Sequence, residues 1–433
     1  MRVAFEVVAV YGLIREGLAG ITLGRGGKRG GRVGSTVLLL GLTSMFTDVS
    51  SEMVTAVLPI YLLFQQQASV VQFGIIDGLY QGASSLFRLA AGFLADRLDR
   101  QQEVAAAGYG LSMLTRLGMI LTPGATAFMA LVAVDRFGKG IRTAPRDALI
   151  SRAAAEESLG AAFGVHRALD TIGAMLGPIL AFAVLAIAPR RFDTVFVVSL
   201  SFAVIGFAII ALFVRNPQQP AAAKRRPTFA ESLRVLRGAS RFRAVVLVGG
   251  VVSFFTLSDA FVYLVLQRVT DVNMAFFPLL FLGTSVAYFV LAVPLGRLAD
   301  RVGRVPTFLV GQVVLLAVYA ALLLAPSLPA LTPPVTVAVT LLLFGAFFAS
   351  TDGVLAAAAS ATLPDAQRAS GLSILGTLTA IARLASSVTF GLLWTLQGPT
   401  AALLLFTAGL AATLAVAVLA FRRASRGIDA GVA

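Results

Sequence analysis

Ionisable side chains concentrate in one stretch, DRFGKGIRTAPRDALI (residues 135–150), which directly follows the apolar run ATAFMALVAV. Asp135, Lys139, Arg142 and Arg146 recur at intervals of four, three and four residues, so a helix places them on one face within about 60° of arc. Asp135 precedes Lys139 in the order that favours an ion pair on a helix. A helix entering the membrane at the apolar run carries Asp135 about 15 Å deep. Because a charge facing lipid costs at least ~2.5 kcal/mol, we expect this stripe to line a water-filled path or a partner helix.

Acids and bases in neighbouring apolar runs nearly balance the stripe. Asp48 and Glu52 are four residues apart and share a helix face, as do His166 and Asp170. Two interpretations fit this balance: fixed ion pairs that hold helices together, or a proton-coupling module whose acids release a proton before a substrate binds. We favour coupling, with Asp48, Glu52 and Asp135 as proton carriers. The partner groups in this hypothesis are Arg136, Lys139, Arg142, His166 and Asp170.

Composition indicates the setting of these charges. Of the 433 residues, 58% are apolar and 13% are charged, about half the charged fraction of a soluble domain. Apolar runs of about 20 residues recur along the chain, and in lipid such runs form helices. The chain has no cysteine and one histidine, which excludes disulfides and disfavours haem. The net charge of +14 is explained by basic residues in cytoplasmic loops and needs no nucleic-acid partner.

The pattern predicts an all-α membrane protein with twelve transmembrane helices in two six-helix bundles, in the inner (plasma) membrane. Lys and Arg counts in the loops place both termini in the cytoplasm. The predicted parts are an N-terminal cytoplasmic segment (1–33), a first bundle (34–214), a central cytoplasmic loop (215–243), a second bundle (244–421) and a cytoplasmic tail (422–433). The predicted spans are 35–64, 71–95, 103–121, 125–149, 160–188, 194–214, 244–268, 273–298, 305–325, 334–358, 370–396 and 399–421.

The two bundles carry a sequence repeat. GFLADRLDR (92–100) and GRLADRVGR (296–304) match at six of nine positions and lie 204 residues apart. With six spans in each half, both copies have the same membrane orientation, so the two halves are parallel repeats.

This repeat resembles the inner-loop motif of the major facilitator superfamily, Gly-x-Leu-Ala-Asp-Arg-x-Gly-Arg. The second copy matches throughout, and Asp99 replaces the second glycine of the first copy. The resemblance implies the major facilitator fold and assigns to this motif a lock on the outward-open state. The gating residues so implied are Gly92, Asp96, Arg97, Arg100, Gly296, Asp300, Arg301 and Arg304.

Two further motifs extend the resemblance. GAMLGP, with Gly173, Gly177 and Pro178, resembles a fifth-span signature of antiport-type exporters. Its glycines permit close helix approach, and its proline bends the span. Arg136 with Gly140 resembles a fourth-span motif whose arginine is tied to proton coupling. TDVSSEM and the stretch at 135–150 are similar to a branch of bacterial permeases of unknown substrate.

Together these features predict a proton-coupled antiporter that exports a small organic compound by alternating access. Its expected partners are the substrate, protons and the bilayer; no cofactor or metal is expected, and the proton gradient supplies energy. We expect a monomer without enzymatic activity. One alternative is an importer or exchanger of an anionic metabolite, received by Lys139, Arg142 and Arg146. The other is a membrane enzyme or receptor, which the missing catalytic and nucleotide-binding motifs disfavour.

Overall fold

The structure is a computed structural model that describes residues 34–83, 100–122, 124–154, 158–214 and 240–429. Within these ranges the regular secondary structure is helical. The helices are α1 (Ser35–Ile60), α2 (70–83), α3 (Gln101–Leu121), α4 (Ala125–Ala153), α5 (Leu159–Ile187), α6 (Phe192–Leu212), α7 (Ser240–Phe255), α8 (Asp259–Thr270), α9 (Phe277–Val302), α10 (Arg304–Leu324), α11 (Pro333–Thr351), α12 (Val354–Ser360), α13 (Asp365–Gln397) and α14 (Pro399–Asp429).

These helices form a membrane protein, as the sequence predicts. Ten described segments are long and apolar enough to span a bilayer. Helix α4 is not among them, although it has 29 residues, because the charges at 135–147 interrupt its apolar face. Of the second predicted span, 71–95, only residues 71–83 are described.

Equivalent helices of the two halves pack alike. Helix α1 packs on α5 in the first half, and α7 packs on α13 in the second; α3 packs on α4, and α10 packs on α11. The predicted parallel repeat is therefore present in the packing as well as in the sequence.

Two predicted spans are each interrupted in the structure. The span predicted at 244–268 divides into α7 and α8, and that predicted at 334–358 divides into α11 and α12. At the first break Tyr319 Oη accepts from Leu257 N at 2.8 Å and donates to Phe255 O at 3.0 Å, and Ser386 Oγ donates to Thr256 O at 3.1 Å. Side chains of neighbouring helices thus satisfy the freed backbone groups within the membrane.

Several predicted boundaries also differ. Helix α7 begins at Ser240, inside the predicted central loop, and α14 continues to Asp429, beyond the predicted start of the tail at 422. Residues 1–33 and the part of the central loop at 215–239 lie outside the described residues.

The two halves meet near one face of the molecule. We call the side that carries residues 66–69, 188–191 and 271–273 the short-loop side, and the opposite side the charged-loop side. Toward the short-loop side, Phe182 of α5 stacks on Phe276 beside α9 with ring centroids 5.6 Å apart. Phe73 of α2 contacts Phe261 of α8 at 5.0 Å.

A close contact between the halves runs along α2 and α13, and we call it the α2–α13 seam. A Cβ atom added at Gly74, Gly78 or Gly82 would lie 2.6, 2.9 or 2.7 Å from a carbonyl oxygen of α13. Only glycine permits this approach of two backbones, so the four-residue glycine spacing on α2 fixes the seam.

Candidate functional site

A cavity of about 230 Å³ lies at mid-depth between the two halves. Helices α1, α2 and α4 form its wall on one side, and α8 and α9 form its wall on the other. Its ionisable lining consists of the acids Glu52, Asp77 and Asp259 and the bases Arg136 and Lys139. Its uncharged lining residues are Thr55, Leu58, Pro59, Phe73, Tyr80, Gln81, Ala260 and Phe281.

Glu52 is positioned by the contact of α1 with α5. A Cβ atom at Gly177 would lie 2.6 Å from Cβ of Glu52 and 2.9 Å from Met53 N, and one at Gly173 would lie 2.4 Å from Met45 O. The Gly-x-x-x-Gly-Pro sequence therefore brings the α5 backbone directly against the helix that carries Glu52. Lys139 and Arg136 are basic groups whose charges act on the Glu52 carboxylate.

Asp77 lies where the cavity meets the seam, and hydrogen bonds cross between the halves there. Ser387 Oγ of α13 donates to Asp77 Oδ2 at 2.6 Å, and Gln81 Nε2 of α2 donates to Asp259 Oδ1 at 3.1 Å. Asp77 is 3% exposed. The break between α7 and α8 places Asp259 in this group as the first residue of α8.

Asp135 belongs to a buried ionic group inside the first half. Arg116 Nη2 lies 3.2 Å from Asp135 Oδ1, and Arg136 also bonds the carboxylate of Asp135. Arg116 donates to Ser51 Oγ at 3.2 Å, and the guanidinium of Arg136 lies 3.7 Å from the centroid of the Tyr80 ring. The expected pairing of Asp135 with Lys139 is therefore wrong: an arginine of α3 and the adjacent arginine on α4 take the carboxylate.

Arg142 and Arg146, at the charged-loop end of the predicted stripe, also bond other side chains of the protein. Arg142 is 3% exposed; its Nη1 donates to Ser112 Oγ at 2.8 Å, and its guanidinium lies 4.6 Å from the Tyr109 ring centroid. Arg146 pairs with Asp147 at 2.9 Å. Of the four stripe residues, Lys139 alone lines the cavity, because α3 covers the positions on either side of it.

Asp48, His166 and Asp170 lie between α1 and α5, on the charged-loop side of Glu52. Lys139, Asp170 and Arg142 are the charged neighbours of Asp48. His166 is 4% exposed, and neither of its ring nitrogens has a hydrogen-bond partner among the described residues. Asp48, Lys139 and Asp170 are half-buried, so these groups continue the polar interior from the cavity toward the charged-loop side.

The repeated motif is described in its second copy. Gly303 separates α9 from α10 with φ +104, a conformation that favours glycine, and Arg304 Nη1 donates to Ala357 O at 3.0 Å. Gly296, Asp300 and Arg301 lie in the last turns of α9, with Asp300 and Arg301 exposed. Arg100 precedes α3 and is exposed. Gly92, Asp96 and Arg97 lie outside the described residues, and the locking role stays a prediction.

Sequence reasoning missed two acids of the cavity as site residues. Asp77 and Asp259 are each isolated in apolar runs, GIIDGLYQG and FTLSDAFVYL, whereas the candidate set followed clustered charges. A signal for Asp77 was present in the glycines at 74, 78 and 82, which mark a helix interface around the acid. Within the described residues no group of three His, Asp or Glu side chains could hold a metal ion.

Two similar helical halves around a charged cavity at mid-depth define the architecture of a secondary transporter. The sequence profile of the Major Facilitator Superfamily matches residues 40–284 and 260–430. The chain belongs to this superfamily, as the inner-loop motifs indicate.

Relatives and solved structures agree with this assignment. An MFS-type transporter of Methanocaldococcus jannaschii is 29% identical over 283 residues, which cover 64% of this chain and 69% of that protein. A Mycobacterium tuberculosis protein is 34% identical over 151 residues, which cover 35% of this chain and only 37% of that protein.

The solved structures share the fold at low sequence identity. The nucleoside transporter NupG superposes with a TM-score of 0.75 at 13% identity, covering 90% of this chain and 99% of that chain. A POT family transporter in complex with 5-aminolevulinic acid has a TM-score of 0.71 at 13% identity, covering 88% and 95%. At these identities the likeness defines the fold and leaves the cargo open.

Proposed function

We propose that this secondary transporter exports a small organic compound in exchange for protons. The observation that carries the proposal is the cavity at mid-depth, where carboxyl groups from both halves face Lys139 and Arg136. A carboxyl group that binds either a proton or cargo couples the two fluxes, and a gradient of 100 mV contributes ~2.3 kcal/mol per charge moved. Glu52 is the principal proton carrier in this scheme.

The contacts between the halves fit one state of alternating access. The seam and the aromatic contacts hold the short-loop side together, and half-buried charged groups continue from the cavity toward the charged-loop side. If the charged-loop side is cytoplasmic, as the loop composition predicts, this is an inward-facing state. Cargo then enters from the cytoplasm, through Asp170, Asp48 and Lys139, to Glu52.

The charges of the cavity favour cargo with a positively charged group. Three acids line it, whereas Arg136 is already bonded to Asp135 and covers Tyr80. An ammonium group would pair with Glu52 or Asp259, with aromatic contact from Phe281. Arg142 and Arg146, which the anion alternative needs, bond Ser112 and Asp147 instead.

Reconstituted protein in liposomes tests this proposal with a pH-sensitive dye inside and a panel of organic cations and organic anions outside. Tetraphenylphosphonium and ethidium serve as cations, and citrate and benzoate serve as anions. We expect at least one cation to move protons, and we expect Glu52→Gln to abolish that movement. Asp193→Asn, an exposed acid at the start of α6, is the matched control and should retain it.

Two outcomes contradict the proposal. Proton movement driven by the anions alone would favour the anion alternative. A cation flux that is unchanged in Glu52→Gln and independent of the pH gradient would show that Glu52 carries no coupled proton.

A further inference from the structure

We infer that Asp77 and Asp259 form a second proton-carrying site, which links protonation of the protein to closure of the α2–α13 seam. One carboxyl group comes from each half of the molecule. The inference rests on the proposed proton coupling, but it concerns a different pair of acids and a different event, the opening of the short-loop side.

The position of Asp77 joins three features of the structure. It is on α2 between Gly74 and Gly78, two of the glycines that bring α2 against α13. It accepts a hydrogen bond from Ser387 across the seam. It also lines the cavity. A change in its charge therefore acts on the interface and on the cavity together.

The surroundings of the pair determine how it responds to a proton. Asp77 faces Ser387 on α13, Ser258 before α8, Gln81 on its own helix and the Asp259 carboxyl group. Asp259 also faces Arg383 of α13, which is exposed. Glu52, Arg136 and Lys139 line the same cavity. They lie on the wall that carries Asp77, opposite Asp259, and both the arginine and the lysine are on α4.

Within the described residues neither acid has a basic group within 4.0 Å. Asp77 is buried and Asp259 is half-buried. Two neighbouring carboxyl groups that are removed from water and bonded to no cation are stabilised when they hold one proton between them. With that proton, Gln81 and Ser387 hold α2 against α8 and α13. Without it, repulsion between Asp77 and Asp259 separates the same helices.

Proton release and proton binding at this site determine the order of the steps in an exchange cycle. The proton keeps the short-loop side closed while the cavity faces the charged-loop side. Release of the proton toward the charged-loop side loosens the seam, and a new proton binding from the short-loop side closes it again. Each step transfers a proton to or from a carboxylate oxygen and breaks no other covalent bond.

Single-cysteine labelling tests the inference, since the chain contains no cysteine. Ala260→Cys places a thiol in the cavity wall, and a membrane-impermeant maleimide is added from the short-loop side of full-length protein in oriented liposomes. Leu328→Cys, in an exposed loop on that side, reports the intrinsic effect of pH on the thiol. The labelling rate of the Ala260→Cys variant is divided by that of the Leu328→Cys variant at the same pH. We expect this corrected rate to increase with pH, by at most about tenfold per pH unit for one released proton.

Asp77→Asn and Asp259→Asn, each combined with Ala260→Cys, remove the pair's shared proton and its repulsion. We expect both to abolish the corrected pH dependence and to keep labelling low, whereas Asp193→Asn should leave it unchanged. Ser387→Ala retains both acids and removes one bond across the seam, so labelling should be higher at low pH and should still increase with pH. If both Asn variants retain the normal pH dependence, or if Ser387→Ala matches the parent at every pH, the inference is wrong.

The proposed function is tested separately from this inference, and either one can be rejected without the other. Glu52→Gln should abolish coupled proton movement and, combined with Ala260→Cys, should leave the pH dependence of labelling in the cavity wall intact. A pH-dependent seam in a protein that couples no cargo to protons would retain this inference and reject the proposed function. Coupled transport with a pH-independent seam would retain the proposed function and reject this inference.

Discussion

Replacing Asp135 by asparagine separates a structural role of this acid from a role in proton transfer. The substitution keeps the shape of the side chain and removes the charge that pairs with Arg116 and Arg136. Both arginines are buried, with side chains 2% exposed. Two buried guanidinium groups then remain with no bonded acid among the described residues.

The magnitude follows from this geometry. Removing one partner of a buried ion pair costs about 3–5 kcal/mol, because the other charge stays buried without compensation. Asp135 neutralises two charges, so we expect the upper part of this range. The pair formed by Arg167, which is 82% exposed, and the half-buried Asp170 at 3.9 Å is the control. Because the guanidinium of Arg167 is in solvent, Arg167→Gln should change stability by less than about 0.5 kcal/mol.

Equilibrium unfolding of the purified protein in mixed detergent measures these differences. A double variant, Arg116→Met with Asp135→Asn, completes a thermodynamic cycle. It should be more stable than the sum of the single changes predicts by about 2 kcal/mol, within the usual range for residues in contact. Because the cycle compares variants of one protein, errors in the unfolded reference largely cancel.

The opposite pattern would refute the structural role. If Asp135→Asn unfolds like the parent and the cycle shows no coupling, the arginines do not depend on this carboxylate. If the same variant also loses proton movement, Asp135 acts as a proton carrier, as the sequence alone indicated.

Three further changes test the helix contacts around the site. Gly177→Ala should lower stability by about 1–3 kcal/mol and weaken transport, because its Cβ atom would meet Glu52 and Met53; Gly164→Ala, with open space around it, should be neutral or slightly stabilising in the same unfolding assay. Arg142→Gln should lower stability through loss of the Ser112 bond and leave the response to organic anions unchanged; an altered anion response would restore the anion alternative. Gly303→Ala should lower stability by about 1–2 kcal/mol because of its positive φ, whereas Gly376→Ala, which has open space around it, should not.

The fold could be predicted from the sequence because an apolar run that crosses a bilayer is restricted to a few backbone conformations. Runs such as FDTVFVVSLSFAVIGFAIIAL had to form helices, and α6 covers that run. The breaks at 256–258 and 352–353 were not accessible, since hydropathy is continuous across them. The first break depends on partners distant in sequence, Tyr319 and Ser386, which bond its freed backbone groups.

The site was accessible only in part, because helix periodicity gives the face of a residue and not the identity of its neighbour. The stripe from Asp135 to Arg146 is on one helix, yet Arg116 and Ser112 of α3 cover two of its members. Lys139 differs because it faces α1 and the cavity. Spacing along α4 could not separate these cases without the position of α3.

The distribution of charge indicates a division of labour between the halves. Inside the first half, arginines of α3 and α4 bond Asp135, Ser112 and Asp147, so these groups are fixed within one rigid bundle. The acids that remain available, Glu52, Asp77 and Asp259, line the boundary between bundles, which is the surface that must change during alternating access. A proton or a cation that binds there acts on the relative position of the halves, whereas one that binds at Asp135 would first have to break a bundle. If protons are coupled to cargo as proposed, we expect the coupling to depend on the acids between the halves. The stripe that is most conspicuous in the sequence, apart from Lys139, would then serve to hold one half together.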